Sequence, residues 1–246
     1  MRIPRLYLPV PLAVGARAPL SAGAFNHAVR VLRLRAGAPV VLFNGSGGEF
    51  HGVLESVNRR EEVVWVEAFF PREAEPPLQV SLAQCVSRGE RMDYTLQKAV
   101  ELGVAAVLPL ISEHAIVSVG NEERLARRFA HWRRIVVAAC QQSGRNRLPP
   151  VHEPRALSAW LADGLPSGLK LMLDPMAACR LTELLPPPAP AITLLIGPEG
   201  GFSQAEITHA HAAGFIGVRL GPRVMRTETA GLAALAALQT LWGDLG

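Results

Sequence analysis

Glu199 lies inside a glycine-rich string, LLIGPEGGFSQAEI (Leu194–Ile207), at the point where an apolar run gives way to a helix start. Glycine-rich loops between a strand and a helix commonly cradle phosphate on backbone N–H groups. This one carries a carboxylate, which repels polyphosphate, and it has neither the GxGxxG spacing nor the Lys-Ser/Thr pair of a P-loop. Gly197, Gly200 and Gly201 allow a sharp turn or the close approach of a ligand. The chemistry that fits is a neutral or cationic ligand gripped by backbone groups; a plain tight connection is the alternative.

A second stretch, LGPRVMRTETAG (Leu220–Gly231), repeats the Gly-Pro turn after another short apolar run and then supplies Arg226 and Glu228. Ligands of open α/β sheets sit beyond the carboxyl ends of strands, so two such loops in succession point to one site. Taken separately, Arg226 and Glu228 are equally an ion pair at a helix start. A third stretch, CQQSGRNRLPP, places Arg145 and Arg147 on a loop that two prolines keep from being helical. Those arginines suit phosphate or a base edge, or simply solvate a loop. In HAVRVLRLRAG, Arg30, Arg33 and Arg35 gather near His27, a weak electrostatic footprint for nucleic acid.

The elements that position these residues follow from periodicity and turn punctuation. Strands are predicted at Arg2 to Leu8, Pro39 to Gly45, Glu49 to Val57 and Glu62 to Phe70, with turns at Asn44-Gly45 and Asn58-Arg59 and a short helix near Ala24 to Leu32. That series implies a small β-barrel over residues 1–72. A charged, proline-rich linker at 73–78 separates it from residues 79–246, where strands and helices alternate as in a mostly parallel sheet. There, QVSLAQCV, VAAVLPLI, LKLMLD, AITLLI and GVRL are predicted strands. Helices are predicted at MDYTLQKAVELG, after Asn121, from about Gln204 to Ala213, and at ETAGLAALAALQTLW. Ser203 and Glu206 form a capping box that starts the third of these helices.

With 246 residues and 49% hydrophobic content, the chain can bury a sizeable core. No apolar run approaches 18 residues, and MRIPRLYLPVPL lacks the apolar centre of a secretory signal, so a cytoplasmic location without membrane attachment is expected. Cys85, Cys140 and Cys179 are odd in number and widely spaced, which argues against a disulfide framework or a zinc site, and no metal is expected. Net charge is +4, and Lys98 and Lys170 are the only lysines among 25 basic residues. Arginine's forked donors suit phosphate and bases, but codon bias gives the same composition, so clustering must decide.

Taken together, RIPR, SRGERMDYTLQKAVELG, AACQQSGRNRLP, LLIGPEGGFSQAEI and LGPRVMRTETA resemble, in the same order and across the whole chain, the RsmE family of SPOUT-class methyltransferases, which modify N3 of a uridine in small-subunit ribosomal RNA. The resemblance implies an α/β fold: a PUA-like β-barrel for RNA, followed by a SPOUT domain with a trefoil knot and a mostly parallel sheet. It implies S-adenosylmethionine as cofactor, 16S ribosomal RNA or the small subunit as partner, and a homodimer. Family members usually carry Glu where this chain has Gln141.

By the same resemblance, Leu195, Ile196, Gly197, Pro198, Glu199, Gly200, Gly201, Leu220, Gly221, Met225 and Thr229 hold the cofactor. Arg226, Glu228 and Arg145 serve catalysis: Arg226 stabilises negative charge on the uracil, Glu228 acts as base or orients Arg226, and Arg145 holds the target nucleotide. Arg2, Arg5, Arg30, Arg33, Arg88, Arg145 and Arg147 are the expected RNA contacts. Alternatives are a SPOUT enzyme acting on another RNA position, such as the ribose 2′-O, a noncatalytic RNA-binding protein, and an NTP-dependent enzyme, which Glu199 disfavours.

Overall fold

The computed structural model describes residues 3–56, 62–115 and 122–246, so Arg2 and the Asn58-Arg59 turn lie outside the described residues. The chain forms two compact units, Met1–Glu75 with Cys140–Leu148, and Pro76–Ala139 with Pro149–Gly246.

The first unit is built on a five-stranded sheet ordered β1-β3-β4-β5-β2: β1 Arg5–Tyr7, β2 Arg17–Pro19, β3 Pro39–Phe43, β4 Glu49–Ser56 and β5 Glu62–Phe70. β1 runs parallel to β3, and the remaining pairs are antiparallel. Alternation along the strands turns Leu6 and Leu8, Val40 and Leu42, and Val64 and Val66 into one buried cluster with Leu54. The three-residue β2 is too short to show that alternation in sequence. Helix α1, Ala22–Phe25, starts where the Ser21 hydroxyl accepts a hydrogen bond from Ala24 N at 3.2 Å, and it runs on into a π-helical turn, Asn26–Val31. Arg33 follows with φ +54, the left-handed position that closes a helix.

Residues 140–148 join this unit through buried polar bonds rather than a strand. Arg5 donates to Glu49 Oε2 and to Asn146 Oδ1, each at 2.5 Å, and Asn146 Nδ2 donates to Arg72 O at 2.6 Å. A linker at 73–78 does not anticipate this return of the chain, because hydrogen-bond partners 140 residues apart leave no periodic trace.

The second unit holds an all-parallel six-stranded sheet: β6 Gln79–Cys85, β7 Ala106–Ile111, β8 Arg155–Ala156, β9 Leu169–Leu173, β10 Ala191–Ile196 and β11 Ile216–Val218. Helices α2 Glu90–Glu101, α3 Glu122–Ser143, α4 Leu157–Ala162, α5 Gln204–Ala212 and α6 Thr227–Trp242 connect or follow the strands. β8 and α4, both very short, were not predicted. The spatial order is β11-β9-β10-β6-β7-β8. The chain therefore steps outward from β6 to β8, then returns to the other side of β6. Between β6 and β10 the direction reverses, the place where parallel sheets open a crevice at their carboxyl ends. AITLLI is buried along nearly its whole length, as a strand covered on both faces must be. Leu195, Met172 and Ala83 meet Trp160, Ala210 and Phe215 on one face, and α6 covers β6 and β10 on the other.

Candidate active site

Three strand ends converge. β10 ends at Ile196 before the glycine loop, β11 ends at Val218 before the second Gly-Pro loop, and β9 ends at Leu173 before Asp174 and Pro175. Their loops bound a cleft of about 670 Å³. The glycine loop is set at its exit by the predicted capping box: Ser203 Oγ accepts from Glu206 N at 3.1 Å, and Glu206 Oε2 accepts from Ser203 N at 2.9 Å. Glu206 is buried, and its other oxygen accepts from Glu113 N at 2.8 Å, which ties the start of α5 to the end of β7.

Of the predicted cofactor residues, Ile196, Gly197, Pro198, Glu199, Gly201, Leu220, Gly221 and Met225 line this cleft, together with Arg226. Leu195 is fully buried in the sheet. Gly200 packs with its open side against His114, where a Cβ would stand 3.1 Å from that side chain's own Cβ. Thr229 lies in the first turn of α6, outside the lining. Gly201 and Gly221 have φ of +73 and +69, and an added Cβ at either would meet nothing within 4 Å. At these two positions the chain needs glycine for its conformation rather than for room, since no neighbouring atom crowds the place of a Cβ.

Sequence reasoning missed Asp174, Phe202, Arg219, Arg223, Thr227 and above all Arg91, which also line the cleft. Arg91 Nη1 is 3.0 Å from Glu199 Oε1, and Arg91 Nε is 3.7 Å from Glu228 Oε1. Arg88 contributes its backbone N–H to Glu199 at 3.2 Å, while its side chain is exposed. Burial opposes ionisation of Glu199, but the N–H groups of Glu199 and Arg88 and the Arg91 guanidinium outweigh it and hold the carboxyl below its ordinary range. Glu228 is mostly buried, with its Oε2 lacking a hydrogen-bond partner. The SRGER motif of the sequence is thus the third wall of the site, a role that only tertiary structure reveals.

The remaining predicted arginines behave differently. Arg145 is buried, and its Nε donates to Glu75 at 2.8 Å. Arg5 is likewise buried, against Glu49 and Asn146, with its guanidinium 5.1 Å from the Phe43 ring centroid. In both cases a nearby acid, remote or unremarkable in sequence, claims the charge. Arg30 lies on the π-helical turn and Arg33 just beyond it, exposed. Arg147 is exposed and 3.2 Å from Glu73. Among the described residues, no group of three or more His, Cys, Asp or Glu is arranged to hold a metal, and no helix is long and apolar enough to cross a membrane.

Residues 74–239 match the family model for an RNA methyltransferase domain, and residues 20–64 match that for an RNA methyltransferase PUA domain. A ribosomal RNA small subunit methyltransferase E from Buchnera aphidicola (Schizaphis graminum) is 35% identical over 99% of this chain and 98% of its own length. The chain belongs to the ribosomal RNA small subunit methyltransferase E family. Among solved structures, a methyltransferase E from Neisseria gonorrhoeae bound to S-adenosyl methionine is 42% identical, with TM-score 0.91 and full coverage of both chains. A Legionella pneumophila protein described as a methyltransferase in complex with the cofactor SAM is 38% identical, with TM-score 0.94 and full coverage of both. In this member of the methyltransferase E family, Gln141 Nε2 donates to Arg5 O at 2.8 Å. A carboxylate at this position could not donate that bond.

Proposed function

We propose that the protein is an S-adenosylmethionine-dependent methyltransferase that modifies N3 of a uridine in small-subunit ribosomal RNA. The observation that carries this reading is the cleft at the carboxyl ends of β9, β10 and β11, with Arg226 in its wall. The site fits the cofactor. Its volume suits a nucleoside-sized ligand, Ile196, Leu220 and Met225 offer apolar surface to an adenine, and the Asp174 carboxylate suits a cationic ligand. Family membership supports the same cofactor and an RNA substrate.

When bound, S-adenosylmethionine supplies an electrophilic methyl group on a sulfonium. The chain's task is to align acceptor and donor and to exclude water. Uracil N3 must lose its proton, which spreads negative charge onto the flanking carbonyl oxygens. Arg226 stays protonated, so its role is to stabilise that charge. Glu228, with an unpartnered buried oxygen and a guanidinium beside it, either accepts the proton or orients Arg226. The target base leaves its stack to enter the cleft. The reading carries with it a cytoplasmic location, a homodimer and a trefoil-knotted thread in the second unit; sedimentation equilibrium tests the dimer.

Calorimetry with S-adenosylmethionine tests the cleft directly. Mass spectrometry of ribosomal RNA nucleosides from a deletion strain tests the acceptor: loss of 3-methyluridine, restored by the gene, is expected. Loss of a 2′-O-methylated nucleoside instead would move the activity to ribose.

A further inference from the structure

Beside the cleft, at the switch point of the sheet, a buried side-chain relay joins three elements that the reaction needs in register. Gln84 is fully buried near the end of β6 and stands opposite Ile196 in the ladder with β10. Its Nε2 donates to Cys85 O at 3.0 Å and to Thr227 Oγ1 at 2.9 Å. The Thr227 hydroxyl in turn donates to Gly197 O at 2.6 Å. We infer that Thr227 is a positioning residue, its hydroxyl latching the glycine loop after β10 to the start of α6 and so setting both the cofactor cleft and the placement of Arg226.

The direction of the relay follows from donor counting. Cys85 O and Gly197 O can only accept, and a threonine hydroxyl has one proton. Turning the Gln84 amide over would set its oxygen against Cys85 O, acceptor against acceptor. With the amide as found, both Nε2 protons are used, and the hydroxyl proton has one remaining destination, Gly197 O. Gln84 Oε1 is left buried without a hydrogen-bond partner, in space that exists because residue 231 is glycine: a Cβ there would stand 3.1 Å from that oxygen. An unsatisfied buried acceptor is costly, and its retention is consistent with an amide needed for its donors.

Three consequences follow for the site. Thr227 is the first residue of α6, and Arg226, the N-cap, makes no side-chain capping bond. The helix start therefore takes its position from tertiary bonds such as this one. Gly197 O belongs to the peptide that leads into Pro198 and Glu199, so the latch orients the loop on one side of the cleft while fixing the backbone next to Arg226 on the other. Finally, Thr227 is itself in the cleft wall and largely buried, where a hydrogen bond is not exchanged for one to water.

This inference rests on the S-adenosylmethionine reading of the cleft, and its test separates the two. Thr227→Val keeps the shape and deletes the hydroxyl; Thr227→Ser keeps the hydroxyl; Thr227→Ala serves if the valine variant folds poorly. Calorimetry with S-adenosylmethionine should show the dissociation constant about tenfold higher for Val and Ala, the scale of one buried hydrogen bond, and within about threefold of wild type for Ser. At saturating cofactor, kcat should also fall for Val and Ala, since Arg226 shifts with the helix start. Hydrogen exchange in the ligand-free protein should speed up at residues 197–203 for Val and Ala but not Ser, with melting temperature changed by only a few degrees. Wild-type affinity and exchange in Thr227→Val, or a serine variant as impaired as valine, would overturn the latch. A wild-type protein that binds no S-adenosylmethionine would instead sink the reading of the cleft, while the exchange pattern still decides the latch.

Discussion

Arg91 and Glu199 are 108 residues apart in sequence, yet the guanidinium Nη1 of one stands 3.0 Å from Oε1 of the other. The same guanidinium reaches toward Glu228 at 3.7 Å. One cation at the start of α2 thus joins the acid of the glycine loop to the acid in the first turn of α6. The carboxylate that looked out of place in a glycine-rich loop is a tether for that loop.

Replacing Arg91 by methionine should therefore loosen both acids at once. Because Arg91 is about two-fifths exposed, solvent screens the pairs and the loss should be modest. We expect kcat/KM for RNA methylation to fall about three- to tenfold, with Arg91→Lys in between. An unchanged rate in a tritiated-methyl transfer assay would show the tether to be idle.

Arg226→Ala is expected to act on chemistry rather than on cofactor binding. Removing a preorganised cation from developing charge costs on the order of 100-fold in kcat. Calorimetry should give cofactor affinity within a few-fold of wild type. If affinity collapses and turnover at saturation is normal, Arg226 holds the cofactor instead.

Gly201→Val places a β-branched side chain at φ +73 in the loop that lines the cleft. Left-handed strain of roughly 1–2 kcal/mol adds to occupied space. Cofactor binding should weaken at least tenfold while the circular dichroism spectrum stays native; undiminished binding would place the ligand elsewhere.

Acid should weaken the first unit through Glu49. Burial opposes the ionisation of Glu49, but hydrogen bonds from Arg5 and His51 and the charges of Arg5 and Arg72 outweigh it and lower its titration below the ordinary 4.5. A carboxylate depressed in the folded state contributes stability that is present above the unfolded value and is lost as pH falls from there through the folded value. Urea midpoints should thus drop between pH 5 and 3 in wild type and drop less in Glu49→Gln. At neutral pH that variant should lose about 2–4 kcal/mol, since Arg5 is left buried and uncompensated.

Thiol labelling should be selective. Burial is the main force pushing Cys85 and Cys140 up to about 12, so both stay protonated and unreactive at neutral pH. Cys179 is only half-buried. Iodoacetamide followed by peptide mass spectrometry should modify Cys179 first; early labelling of Cys140 would contradict its burial.

Much of this molecule was already legible in short-range pattern. AITLLI, the Ser203–Glu206 capping box and the Gly-Pro turn after β11 each declare themselves within a few residues, because backbone propensity and capping are local. From them came the parallel sheet and the two loops, while the individual cofactor residues were implied by the family resemblance. Tertiary structure alone decided how the charges are used. Arg145 and Arg5 read as free cations in sequence and are bound to Glu75 and Glu49 in the fold, while Arg91 and Thr227, each one residue ahead of a predicted helix and given no role by local pattern, turn out to join the site's walls. Periodicity reports which face of an element is buried, but a hydrogen bond or ion pair across a hundred residues depends on where the chain returns, and that is set by packing.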